Sequence, residues 1–183
     1  ALDFQVAAMA AGGVRELILF LGLGLFAGLL SVGHNRFLLA TLSLVERIKA
    51  PVEVRAAAIG AVVGLLAWCV PHLVGGGDGI TQQALNGGLM LAALPALFLF
   101  RLVLGSVSYA AGTPGGLFAP LMVLGTVSGL AFGYCVEAVF PGLAVRPEAF
   151  ALVGMAALFA GTVRAPLTGI VLVTEMTGSA TLL

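Results

Sequence analysis

Charged residues are so sparse along this chain that they act as punctuation between apolar runs. None interrupts residues 17–35, 56–77, 79–100 or 102–136, and the last of these runs holds 35 residues. Two shorter uncharged runs follow, 149–163 and 165–174. A bilayer core of about 30 Å takes about 20 helical residues per crossing. The first predicted helix, residues 14–45, is too long for an upright crossing. It is expected to be strongly tilted or bent near Gly33-His34-Asn35. A second helix is predicted over 52–70, ending at Pro71. Gly75-Gly76-Gly77-Asp78-Gly79 reads as a flexible connector. Residues 80–86 suit a short, partly polar helix, and 89–109 a further span with Pro95 inside it. Ala110-Ala111-Gly112-Thr113-Pro114-Gly115-Gly116 then breaks the longest uncharged run. A span over 117–138 and a turn at Phe140-Pro141-Gly142 follow. Two short helices, 147–160 and 165–177, are parted at Arg164-Ala165-Pro166.

Two of these features are informative together. The last two helices are too short to cross a bilayer alone, and a Gly/Pro break lies where uncharged sequence continues on both sides. Irregular backbone at membrane depth survives only where protein buries it or where it lines a cavity. Broken and half-length helices are the sequence pointer to a transport site.

Composition supports the membrane reading. Of 183 residues, 61% are apolar and 9% charged, with a mean hydropathy of +1.17. A soluble domain carries about a quarter charged residues. Disorder is excluded by the abundance of Leu, Val, Ile and Phe. Eight basic residues balance eight acidic ones without a basic run, which argues against nucleic-acid binding. Cys69 and Cys135 sit in apolar stretches and read as small buried hydrophobes. Arg47, Lys49 and Arg55 cluster around Pro51, so that connection is expected on the cytoplasmic side. The chain opens on Ala1 and stops at Thr181-Leu182-Leu183 without a basic tail, so both ends are expected to be cuts within a longer membrane protein.

The chemistry concentrates in Gly115-Gly116-Leu117-Phe118-Ala119-Pro120. The first N–H groups of a helix have no internal partner. For a helix beginning at Leu117 these belong to Leu117, Phe118 and Ala119, because Pro120 has none. The two glycines let a ligand approach the backbone, and the helix dipole places about half a positive charge there. That is an anion site without a formal cation, and partial charges suit an ion that must also leave. The same residues are equally an ordinary way to start a membrane helix.

Longer motifs carry a resemblance. Gly115-Gly116-Leu117-Phe118-Ala119-Pro120 is followed by Leu124-Gly125-Thr126-Val127-Ser128-Gly129-Leu130-Ala131-Phe132-Gly133, then by Gly154-Met155-Ala156-Ala157-Leu158. The last motif is Arg164-Ala165-Pro166-Leu167-Thr168-Gly169-Ile170-Val171-Leu172-Val173-Thr174-Glu175-Met176-Thr177. This order closely resembles the second half of the membrane domain of CLC chloride channels and chloride/proton antiporters. Arg101 also falls where that family has an arginine. The resemblance implies a homodimer with one anion pathway per subunit, each subunit built of two inverted repeats. It implies that Gly116-Leu117-Phe118-Ala119-Pro120 is a selectivity-filter segment whose chloride contacts are the backbone N–H groups of Leu117 and Phe118. The family's Gly-Ser-Gly-x-Pro and Gly-x-Glu-Gly-Pro segments do not occur in this chain. Neither Tyr109 nor Tyr134 matches the filter tyrosine. The chain therefore resembles one wall of a pathway, with the last helix missing, and is not expected to transport alone. Channel and antiporter stay open.

Other residues carry weaker signals. Gly125, Gly129 and Gly133 recur every fourth position, as do Gly60 and Gly64, and Gly24 and Gly28; such spacing allows close helix approach. Ser128 with His34 or His72 suggests an intramembrane serine enzyme only if a base lies within reach. Both histidines are expected near solvated span ends, with at most a pH role. Arg101, Arg164 and Glu175 are charges close to apolar spans, where function is the default suspicion; a structural role is favoured for Arg164, and Glu175 stays open. Asp78 lacks the partner carboxylates that calcium needs.

The expected architecture is thus an all-α polytopic membrane protein with tilted and broken helices, the second inverted repeat of a CLC-type fold. Its expected task is chloride transport across a bacterial inner membrane. The expected partners are chloride, the lipid bilayer and a second subunit; no cofactor, metal or catalytic residue is implied. The alternatives are another broken-helix secondary transporter and, from a different class, an intramembrane enzyme.

Overall fold

The computed structural model describes residues 14–112, 117–141 and 146–177. Over these it forms seven α-helices: α1 (Val14–Glu46), α2 (Val52–Cys69), α3 (Asp78–Leu85), α4 (Leu94–Tyr109), α5 (Phe118–Val139), α6 (Pro147–Val163) and α7 (Pro166–Thr177). Four stretches are long and apolar enough to cross a membrane: Glu16–Glu46, Val52–Cys69, Leu91–Tyr109 and Phe118–Val139. α6 and α7 are apolar but shorter.

Prolines set most helix starts. Pro147 and Pro166 open α6 and α7, where a missing N–H loses no helical bond. Pro95 does the same for α4, in its first turn and inside the span Leu91–Tyr109, as expected. A 3-10 turn, Leu91–Ala93, precedes it. The α6–α7 break is Arg164, exposed and left-handed at φ 61°. It is the only non-glycine residue with positive φ among the described residues. Arg55 reaches back across the α1–α2 connection and donates to the Val45 carbonyl at 2.9 Å, capping the end of α1.

α5 and α6 form the centre. Gly125, Gly129 and Gly133 face Gly154, Phe150 and Pro147 of α6. A Cβ on Gly125 would lie 2.6 Å from the Gly154 carbonyl oxygen, and one on Gly129 would overlap the Phe150 carbonyl. The two backbones therefore touch along the glycine edge, and Leu121, Leu124, Leu152, Met155 and Leu158 close around it. Buried hydroxyls turn inward on their own helices: Thr126 donates to Met122 O at 2.8 Å and Ser128 to Gly125 O at 3.1 Å. α1 lies on α6 through Leu23, Ala27, Ser31, His34 and Leu38, a stripe at helical spacing. Asn35 adds a bond from its Nδ2 to Thr162 O at 3.4 Å. α3 packs Ile80, Ala84 and Leu85 into the same core.

α1 is one continuous helix through Gly33-His34-Asn35, and its length of about 50 Å exceeds the bilayer core, as the expected tilt or bend requires. Several expectations need correction. His34 is buried at 5% exposure, not solvated at a span end, because it sits on the stripe facing α6. His72 is exposed. Asp78 and Gly79 are not connector but the first turn of α3, where an acidic residue favours the helix start. Cys69 and Cys135 are exposed, not buried. Gly24, Gly28, Gly60 and Gly64 have open space where a Cβ would go, so their spacing brings no helices together here.

Candidate functional site

α5 begins at Phe118, one residue later than expected, with Leu117 as its cap residue at φ −78° and ψ −2°. The first turn closes when Leu121 N–H donates to Leu117 O at 3.0 Å. The N–H groups of Leu117, Phe118 and Ala119 find no acceptor among the described residues, and Pro120 has none to offer. The carbonyls of residues 113–116, those nearest before them in sequence, lie outside the described residues. No side chain caps this end. Gly115 and Gly116 lie outside the described residues.

Two contacts fix where these donors point. The Phe118 ring meets Phe159 of α6 edge-on, with centroids 5.4 Å apart and planes at 79°. On the other side α4 passes close to Pro120, whose Cβ would be 3.4 Å from a Cβ on Gly105. The helix start is clamped between α6 and α4, so its donors are held rather than free to fray.

Beside it lies a cavity of about 300 Å³ lined by Gly75, Arg101, Ser108, Tyr109, Leu117 and Pro120, among others. Arg101 is 3% exposed. Its NH1 donates to Gly75 O at 2.8 Å, while Nε and NH2 have no partner among the described residues. Among the described residues no carboxylate lies within ion-pair distance of it; the ion pair described is Arg146 with Glu148, at 3.9 Å. Arg101 therefore brings a cation to the cavity that Leu117 and Pro120 also line, with no direct ion pair among the described residues but within electrostatic reach of the Asp78 carboxylate. A cavity with a buried cation and a donor-bearing helix start favours negative charge twice over.

Residues 3–183 fit the family model described as voltage gated chloride channel. The chain belongs to the voltage-gated chloride channel family. Among members of this CLC family, the H(+)/Cl(-) exchange transporter ClcA of Vibrio campbellii is 39% identical over 170 residues. Those residues are 91% of this chain and 36% of that protein. The ClcA exchanger of Cronobacter sakazakii is also 39% identical, over 94% of this chain and 38% of its own length. The crystal structure of a slow cyanobacterial Cl-/H+ antiporter superposes with a TM-score of 0.87 at 29% identity, covering 99% of this chain and 43% of that one. A CLC-type fluoride/proton antiporter shares the fold, with a TM-score of 0.76 at 18% identity. The chain thus spans well under half the length of these CLC relatives, and its all-helical, broken-helix architecture is theirs.

The structure gathers Leu117, Pro120 and Arg101 around one cavity. It adds Gly75, Ser108 and Tyr109, which the sequence reading did not select. Arg101 was their signal: a lone charge in an apolar span must line something polar. The other candidates stand apart. Ser128 spends its hydroxyl on Gly125 O and faces an apolar groove of about 320 Å³ with Phe26, Leu30, Leu94 and Phe98. No histidine is among the residues described lining that groove. Glu175 is exposed, and Tyr134 donates its hydroxyl to Leu89 O at 3.0 Å.

Proposed function

We propose that this chain is the second half of a chloride-transporting membrane unit and supplies one wall of its anion pathway. In this reading the backbone N–H groups of Leu117 and Phe118, within Gly116-Leu117-Phe118-Ala119-Pro120, are its chloride contacts. The single observation that carries it is the clamped start of α5: three N–H groups with no acceptor among the described residues, no side-chain cap, and a buried arginine on the adjoining cavity. Partial charges attract an anion but let it go, which a permeation path requires. The names of the relatives, H(+)/Cl(-) exchangers, favour proton-coupled exchange over passive conduction. The unit works as a homodimer in a bacterial inner membrane, with the connection around Pro51 on the cytoplasmic side.

The test uses the full-length protein in chloride-loaded liposomes, with efflux read by a chloride electrode and proton uptake by a pH electrode. Leu117→Ile keeps the backbone donor and should leave chloride efflux within about threefold. Leu117→Pro removes that donor, while its φ of −78° already suits the proline ring. It should slow efflux by about tenfold or more. Equal rates in the two variants would remove the backbone-donor account. Chloride efflux without proton uptake would leave transport standing and remove exchange.

A further inference from the structure

The glycine loop beside the start of α5 has one side chain holding it. Arg101 NH1 bonds Gly75 O at 2.8 Å, and the guanidinium runs on beneath Gly77. A Cβ on Gly77 would be 3.0 Å from Arg101 NH2 and 3.1 Å from its Cζ, and would overlap the Val123 side chain of α5. Gly77 also sits at φ 89°, a region that side chains other than glycine rarely enter. Gly76 rests on α5 as well: a Cβ there would be 3.6 Å from the Ala119 Cβ. The loop is therefore fastened to α4 through Arg101 and pressed against the first turns of α5. Its Gly75 lines the cavity that Leu117 and Pro120 share, while Gly76 and Gly77 line a neighbouring one. Three glycines bring no side chains to hold their own shape. A planar guanidinium with fixed donors supplies it from outside, and a cation in an apolar span needs such a use.

We propose that Arg101 is a positioning residue that sets the shape of the Gly75-Gly76-Gly77 loop against the start of α5, and thereby which anions fit beside its N–H groups. This rests on the anion reading of α5 given above. The predicted readout is selectivity, not only rate, because a displaced loop changes the space beside the donors.

The experiment measures chloride against nitrate efflux from liposomes holding the full-length protein, for wild type, Gly77→Ala, Arg101→Met, Arg101→Lys and the double variant Gly77→Ala/Arg101→Met. Gly79→Ala is the control, since nothing lies within 4 Å of a Cβ there. Gly77→Ala and Arg101→Met should each shift the chloride-to-nitrate ratio by about tenfold, and the double variant by no more than either alone, the mark of two residues acting through one element. Arg101→Lys, which keeps a donor for Gly75 O, should stay within about threefold of wild type. An unchanged ratio in both Gly77→Ala and Arg101→Met overturns the proposal. So does additivity in the double variant, which would give Arg101 a route that bypasses the loop, such as direct contact with the ion. If Gly77→Ala does not fold, Arg101→Lys against Arg101→Met still decides: equal loss in both overturns it. A wild-type protein that moves no anion would instead overturn the anion reading of α5, and this proposal with it.

Discussion

α5 and α2 are both apolar, both long enough to span a bilayer, and both marked by glycines four residues apart. Yet α5 has twelve buried residues and α2 none. The glycines of α5 meet the backbone of α6 at distances no Cβ tolerates, whereas Gly60 and Gly64 of α2 face nothing within 4 Å. Small residues at that spacing permit close approach, but only a complementary edge on a neighbour uses the permission. Gly154, which itself reaches Gly125 O and the Gly129 Cα, is that edge for α5. In lipid there is little hydrophobic drive to pull helices together, so packing of this kind carries the association.

The comparison can be broken most sharply at Gly129. Gly129→Ala should cost about 3 kcal/mol or more through overlap with the Phe150 carbonyl, read as a large drop in the thermal midpoint of the detergent-solubilised protein. A small drop would mean that α5 and α6 are not held at backbone contact. Phe159→Ala removes the edge-on partner of Phe118. It should cost about 3 kcal/mol and weaken chloride binding to the full-length protein, because the start of α5 loses one side of its clamp. Tyr134→Phe deletes the bond to Leu89 O and should cost about 1 kcal/mol, with chloride efflux unaltered. Gly60→Ala is expected to do least, stabilising α2 by about 0.5–1 kcal/mol through backbone entropy. If it raises the midpoint of this chain but lowers that of the full-length protein, a partner edge exists for α2 outside the segment described here.

What the sequence revealed follows the same physics. Helix starts were legible at Pro147 and Pro166, because proline marks a first turn whatever the solvent. The start of α5 was legible to within one residue for the same reason, from Pro120 in its first turn. The connector was misjudged because four glycines in five residues hide the helix-starting preference of Asp78. The cysteines were misjudged for a deeper reason: in water, apolar neighbours argue for burial, but in lipid an apolar face fits the outside as well as the inside. Polar residues point inward more reliably there, and Ser31, His34 and Asn35 do mark the side of α1 that meets α6. The cavity beside Arg101 was not legible beyond Arg101 itself. It joins residues from the loop after α2, from α4 and from α5, and no local pattern states that those segments meet.

The donors at Leu117, Phe118 and Ala119 are also insulated from most genetic change. A backbone amide is present under every side chain but proline's, so nearly any codon substitution at these positions leaves the three N–H groups in place. Inheritance can drift here in shape and bulk while the hydrogen-bonding pattern stays constant, guarded by the position of a helix end and not by the identity of any residue.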